Sequence, residues 1–236
     1  TLTLLVIFHI LLILLLMAFI STMSTNPGEI PLYWGFYIGD DDYKRKRYCL
    51  ICNAFKPERS HHCSVCNVCV LNMDHHCPWV DNCIGFYNRK HFMQLLFFVV
   101  VITIYIDITL FYYVVIMVIN LIKMKIRYSQ IFHVGFVVVC YIAIFVFSII
   151  ITMFFKFHVK LVLTNSTTIE SLDTEHKKET EKFNLSPMEN FEQVFGTDRL
   201  FWIVPFPAKR GKPDGDGLTW KTRKVMEGNS FDGVVD

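Results

Sequence analysis

Three uninterrupted apolar runs alternate with polar stretches along the chain: Leu4 to Ile20, Met93 to Val118 and Ile131 to Phe155. A bilayer core of about 30 Å needs roughly twenty helical residues at about 1.5 Å each, and every run reaches or nearly reaches that length. The pattern predicts membrane helices over 1–23, 92–119 and 131–155, and hence an α-helical integral membrane protein of three spans. A polar segment, 24–91, separates the first two runs, a short loop, 120–130, the next two, and 156–236 follow as a tail. Few polar residues interrupt the runs. His9, His133, Ser148 and Thr152 read as packing or interhelical hydrogen-bonding residues, Cys140 as an inert buried thiol, and Asp107 as an acid turned into the bundle, since lipid exposure of its charge is costly.

The 236 residues are 53% hydrophobic, more than a water-soluble domain carries, and the net charge of +2 gives no reason to expect a polyanionic partner. The distribution of charge says more. Lys and Arg number eight between Ser24 and His91, three in the 120–130 loop and twelve after Phe155, which puts the 24–91 segment and the tail on the cytosolic side. The first run starts at Thr1 with no initiator Met or polar leader, as in a chain cut within a longer protein; its length and missing basic leader argue against a cleaved signal peptide.

Seven of the eight cysteines crowd between residues 49 and 83. Cys49, Cys52, His62 and Cys69 follow the spacing CxxCx9Hx6C, and Cys63, Cys66, His76 and Cys83 repeat it fourteen residues later without change. Each set offers three thiolates and one imidazole, a complete tetrahedral set for structural zinc, and a reducing cytosol makes CxxC pairs metal sites rather than disulfides. Two structural zinc ions are expected, in a domain of little regular secondary structure.

Cys77 is left over. It is the fourteen-residue echo of Cys63, but the remaining positions of a third set fall on Val80, Lys90 and Phe97, which cannot bind zinc. A free thiol therefore stands beside His75 and Asp74 on a metal-stiffened loop, the ingredients of a thiolate nucleophile with Cys77 attacking, His75 as base and Asp74 orienting it. A zinc hydrolase is excluded because both sets are complete at four ligands, and nucleic-acid binding because the module is tied to membrane and lacks a basic recognition helix. The non-enzymatic alternative is a membrane-tethered zinc module whose Cys77 is a passive acylation target; the adjacent Asp74–His75 pair argues against it.

The run CLICNAFKPERSHHCSVCNVCVLNMDHHCPWVDNCIGFYNRKHF, Cys49 to Phe92, resembles the cysteine-rich domain of DHHC protein S-acyltransferases, with the tetrad at Asp74 to Cys77 and further matches at Pro57, Arg59, Trp79, Asn82, Gly85, Asn88 and Phe92. The resemblance implies transfer of a long-chain acyl group, typically palmitoyl, from acyl-CoA to membrane-proximal cysteines of proteins at the cytosolic face of an endomembrane (Golgi, endoplasmic reticulum or plasma membrane). It also implies a fourth span ahead of the first run, and an apolar cavity among the helices whose length selects the acyl chain. Lys56 and Arg59 are candidates for the phosphates of CoA or, equally, solvated surface charges. Trp79 is a candidate cover for the reactive carbonyl or, equally, an interfacial anchor.

Other stretches are placed more briefly. Asn26-Pro27-Gly28 stands where the family commonly has Asp-Pro-Gly, and with Pro31 it ends the first helix. Trp34, Phe36 and Tyr37 form an aromatic belt before the acidic cluster Asp40 to Asp42 and the basic cluster Lys44 to Arg47. Thr167 with Glu170 reads as a helix N-cap box, and Thr167, Thr168 and Glu170 resemble the family's Thr-Thr-x-Glu motif, which braces the catalytic segment. Ser171 to Lys182 is a polar linker. Asn190 centres an aromatic stretch resembling the family's C-terminal motif, a helix against the catalytic segment and membrane interface, and a flexible tail follows. Asn165 opens a glycosylation sequon that a cytosolic location keeps unmodified.

Overall fold

The computed structural model describes residues 2–36, 47–123, 130–173, 181–206 and 211–223. Tyr37, the Asp40 to Asp42 cluster, Lys44 to Lys46, most of the 120–130 loop, 174–180 of the linker and the end of the tail lie outside the described residues. Helices α1 (Leu2–Ser24), α2 (Arg89–Ile122) and α3 (Ile131–Leu163) are each long and apolar enough to cross a membrane. Large apolar side chains stand outward along all three, including Leu5, Ile13, Ile108, Tyr112, Phe136 and Ile150, as lipid-facing surfaces require.

At 34 and 33 residues, α2 and α3 are each about 50 Å long and overrun the bilayer core. Hydropathy marks where apolar character stops, not where the backbone leaves the helix: α2 begins three residues before 92, and α3 runs on from Phe155 to Leu163. Those extra turns bury Arg89 and His158 beside Asp74 of the zinc-ligand segment, while Lys90, and Gln94 one turn on, bond to carbonyls of the C-terminal segment.

Three small antiparallel hairpins make up the cysteine-rich segment: β1 (Tyr48–Cys49) with β2 (Ala54–Phe55), β3 (His61–Cys63) with β4 (Val68–Val70), and β5 (His75–Cys77) with β6 (Asn82–Ile84). They recur at the fourteen-residue interval of the ligand pattern. At each tip one residue adopts the left-handed conformation, with φ of 51° at Asn53, 55° at Asn67 and 46° at Asp81; Asn and Asp tolerate it best among residues with a side chain.

The end of α1 is stitched to this segment. The Asn82 amide donates to the carbonyls of Thr22, Met23 and Thr25, and the Asn88 amide to those of Thr22 and Cys83, so the otherwise unpaired carbonyls of the last helical turn find partners. In the turn that follows, Asn26 Oδ1 accepts from the Gly28 amide at 2.8 Å, doing there what an Asp carboxylate would do. The turn then pairs with the hairpins: Leu71 N–H donates to Gly28, and Tyr87 N–H to Pro27.

Beyond α3, Thr167 caps the short helix α4 (Thr168–Leu172) in a reciprocal capping box with Glu170. Ser186 and Glu189 repeat the device at α5 (Pro187–Phe195). Asn190, fully buried on α5, donates to the Leu163 carbonyl at the end of α3 and accepts from the Leu185 amide. Trp220, from the last described stretch, packs on Phe86 and Phe183.

At Gly85 a Cβ would fall 2.6 Å from Val70, 2.7 Å from the Pro27 carbonyl and 2.9 Å from the Leu71 carbonyl, two of them backbone atoms that cannot swing aside. Gly85→Ala is expected to cost about 1–3 kcal/mol by forcing the α1 turn off the hairpins. Thermal unfolding of the detergent-purified variant should show a midpoint several degrees lower; an unchanged midpoint would contradict this close approach.

Candidate active site

Successive side chains of a strand point to opposite faces, and this decides the chemistry of the hairpins. In β3, His62 stands across from Cys69 and joins the first ligand set, while its neighbour Cys63 turns the other way and joins the second. In β5, His76 stands across from Cys83 and joins the second set, so its two neighbours, His75 and Cys77, both turn away from the metal site and share the opposite face. The interleaving of the ligand sets and the freedom of Cys77 share one cause.

The ligand atoms of each set lie within 4.8 Å of one another. Cys52 and Cys69 Sγ are 3.2 and 3.8 Å from His62 Nδ1; Cys63, Cys66 and Cys83 Sγ are 3.8, 3.4 and 3.7 Å from His76 Nδ1. A zinc with bonds of about 2.0–2.3 Å requires tetrahedral edges of about 3.5–3.8 Å, so both clusters fit the ion. Both histidines would bind through Nδ1.

The knuckles also explain why a thiolate is stable here. In the two metal knuckles the backbone N–H of Cys52 points at Cys49 Sγ and that of Cys66 at Cys63 Sγ. The third hairpin keeps the same backbone, and the amides of Trp79 and Val80 point at Cys77. Where a metal knuckle has its second cysteine, Val80 packs beside Cys77 among Ala18, Ile84, Phe92, Leu95, Leu96 and Phe98. Cys77 therefore sits in a knuckle stripped of its metal, with anion-stabilising amides on one side and membrane-helix hydrocarbon on the other. Burial raises the thiol's pKa, but the interaction with His75 and these amides outweigh it and draw the value below the usual range.

His75 Nδ1–H donates to Asp74 Oδ2 at 2.7 Å, leaving Nε2 for the thiol side. Burial works against the imidazolium, yet Asp74 and Cys77 outweigh it and push His75 up to about 9. Asp74 is 1% exposed, and its oxygens also accept from Thr168 N–H (3.0 Å) and Thr168 Oγ1 (2.7 Å), with Arg89 Nη2 3.5 Å away. Burial alone would raise Asp74; Arg89 and His75 instead hold its carboxyl far below the usual range.

Arg59 corrects an expectation. It is 4% exposed, pairs with both oxygens of Glu170 at 2.7 and 2.8 Å, donates to Asn165 Oδ1 and the Asn165 carbonyl, and lies between the rings of Phe183 and Trp220. Four of its five N–H donors are engaged and the group is enclosed, so it is not open to a phosphate. It joins the hairpins to the segment after α3, while Lys56 keeps its partial exposure. Trp79 is 88% exposed at the tip of the third hairpin and covers nothing within the described residues, as an interfacial anchor would stand.

Three residues of the site escaped the sequence reading. Arg89 and His158 lie on the helical turns beyond the apolar runs; His158 is buried between the rings of Phe92, Phe154 and Phe157, with its own ring 5.8 Å from that of His75 and its Nδ1 4.0 Å from Asp74. A signal existed, since continuing the helical period past Phe155 sets His158 on the face of Phe154 and Leu161. Asn165, read only as a sequon, is buried against Arg59, the Phe183 carbonyl and Gln193.

A thiol packed against the spanning helices, held by a zinc-ligand scaffold and backed by an imidazole–carboxylate pair, fits a thiol-dependent transferase. The family model for DHHC palmitoyltransferase matches residues 42–175, and the chain belongs to that family of acyltransferases. It is 32% identical over 246 residues to probable protein S-acyltransferase 13 of Arabidopsis thaliana, covering 93% of this chain and 78% of that protein. It is 39% identical over 190 residues to palmitoyltransferase ZDHHC15 of Homo sapiens, covering 77% of this chain and 52% of that protein, and 37% identical over 185 residues to palmitoyltransferase ZDHHC20 of Bos taurus, covering 77% and 48%. The chain thus spans about half the length of these two animal relatives.

Elemental analysis of purified protein should find two zinc ions per chain. Cys77→Ser should keep both, whereas Cys83→Ser should lose the second and unfold its hairpin, because structural zinc supplies folding free energy directly. One zinc in the Cys77→Ser protein would overturn the separation of thiol and metal.

Burial of the Asn165 side chain also changes what its sequon can report. A glycan on this amide is incompatible with its burial, so no glycosidase-sensitive mass shift is expected in folded protein. A shift in folded, zinc-replete protein would contradict the Arg59–Asn165 contact.

Proposed function

We propose that the chain transfers a long-chain fatty acyl group, typically palmitoyl, from acyl-CoA to cysteine thiols of proteins at the cytosolic membrane face, through a thioester on Cys77. The observation that carries this reading is the position of the Cys77 sulfur, outside both ligand sets, beside the His75–Asp74 pair and among the apolar side chains of the membrane helices.

In the first step the Cys77 thiolate attacks the carbonyl carbon of the acyl thioester; the new carbon–sulfur bond forms as the bond to the CoA sulfur breaks, and the departing thiolate takes a proton from His75. In the second, a cysteine of the protein substrate gives its proton to His75 and attacks the acyl-enzyme, restoring the Cys77 thiolate. Asp74 holds the His75 ring in one tautomer throughout, and Thr168 and Arg89 hold Asp74. The zinc ions, held by the two Cys3His sets, supply structure rather than chemistry: they stiffen the hairpins from which Cys77 projects. The acyl chain extends along Leu14, Leu15, Phe19, Leu96, Val99 and Ile151, where each methylene withdrawn from water contributes about 0.8 kcal/mol. Lys56 is the remaining candidate for a CoA phosphate. The excess of Lys and Arg in 24–91 and in the tail supports the cytosolic orientation, and the family supports an endomembrane location.

Incubation with labelled acyl-CoA followed by hydroxylamine separates enzyme from scaffold. Cys77→Ser should lose the hydroxylamine-labile label entirely while keeping its zinc. His75→Ala should slow acyl-enzyme formation by about 10²–10⁴-fold. Asp74→Ala should be harsher than a loss of orientation alone, because it strands the buried Arg89 charge; Asp74→Asn, which keeps the volume, separates the catalytic from the structural loss. Acylation of Cys77 at the wild-type rate in His75→Ala would leave a merely reactive thiol and no enzyme.

A further inference from the structure

Beside the Cys77 cluster, farther along α3, a cavity of about 240 Å³ opens between α2, α3, α5 and the turn Arg199–Trp202. Phe97, Phe155, Val159, Phe191, Phe195 and Trp202 form much of its wall. Two lining residues carry polar atoms, and both turn them elsewhere: the Gln94 amide donates to the carbonyls of Phe201, Trp202 and Val204 while its oxygen meets His91, and Trp202 Nε1 donates to the Gly196 carbonyl. The cavity therefore has nothing to offer a polar ligand or a water molecule. It exceeds the apolar cavity of about 150 Å³ that stays dry in water and takes up benzene.

We propose that this cavity binds one acyl chain of an anionic phospholipid from the surrounding bilayer, with the headgroup on Lys156, Lys160 and Arg199. Two observations choose this occupant. The first is continuity with exposed apolar surface: the lining residues Leu163 and Ile203 are exposed, and Phe155 ends the apolar run of α3 while Val159, Val162 and Leu163 follow directly on it, within about 12 Å along the helix axis. The second is charge. At about 100° per residue, the α3 face turns from His158 through Val162, Phe155 and Val159 to Leu163, and then to the exposed Lys156 and Lys160. Across the opening, exposed Arg199 lies 5.7 Å over the Trp202 ring. Asp198, the acid next to Arg199 in the chain, is engaged in capping the Leu200 amide. Long basic side chains at this depth extend toward the headgroup layer.

The site is distinct from the acyl path at Cys77 but shares a wall with it, since Phe155 packs against both the Cys77 cluster and the cavity-lining cluster. A bound lipid would fill the space under α5 and hold Phe155 in place.

The test is lipid retention by the full chain in phosphatidylcholine nanodiscs doped with phosphatidylserine, read by quantitative lipid mass spectrometry after exchange into detergent, with two zinc ions per chain as the criterion of folding. The wild type is expected to retain about one phosphatidylserine per chain. Val159→Trp, which fills the cavity from a partly exposed position, should retain none while keeping both zinc ions. Lys156→Gln with Lys160→Gln should retain lipid but lose the preference for phosphatidylserine over phosphatidylcholine, by about fivefold per charge removed. Undiminished retention in zinc-replete Val159→Trp, equal retention of both lipids by the wild type, or displacement of the lipid by acyl-CoA at one equivalent would each overturn the proposal. If Val159→Trp fails to hold its zinc, Phe191→Trp, which narrows the cavity from α5, takes its place under the same outcomes. Acyl transfer is not read at any point, so the result is independent of the proposed activity.

Discussion

The candidate site depends on adjacent side chains of a β-strand being unable to point the same way. A tetrahedral ion on one face of a three-residue strand claims one side chain, and its neighbours are driven to the other face. His62 and Cys63 use the divergence to serve two ligand sets, and in the proposed mechanism His76 and Cys77 use it to serve one ion and one substrate. The third hairpin has the knuckle form without a ligand set. Its amides still converge on a sulfur, and a geometry that stabilises a metal thiolate stabilises a nucleophile instead.

The hairpins alone do not hold that nucleophile against its base. A continuous set of buried contacts runs from Arg59 through Glu170 and the Thr167 cap to Thr168, then to Asp74 and His75. It bridges parts of the sequence more than ninety residues apart. Each charge in it has an opposite partner, which is the condition for buried ions to be tolerated at all, and removing any one leaves another stranded. The set joins the metal-held hairpins to the end of α3, and hence sequence far from the tetrad to the geometry of the tetrad.

How much of this was legible beforehand varied with how local the determining physics is. Ligand spacing, apolar run length and the cap at Thr167 are properties of a few consecutive residues, and they could be read directly. The surplus of Cys77 followed by subtraction. Arg59 could not be placed, because a basic residue between two ligand pairs looks the same whether it faces water or Glu170, and its partner lies more than a hundred residues on. His158 and Arg89 were hidden by the use of hydropathy to end a helix. Polar turns at the ends of α2 and α3 are where membrane helices meet a polar domain, and there the apolar pattern fades while the helix continues.

Asn82 and Asn88 grip the last turn of α1, and α2 begins within six residues of the second metal set. The reactive sulfur is thus rigidly geared to two long membrane rods. Helices longer than the bilayer is thick respond to a change in thickness by tilting, and a tilt here would raise or lower the sulfur relative to the headgroups. The depth of the sulfur is thereby tied to the tilt of the helices that carry its hairpin.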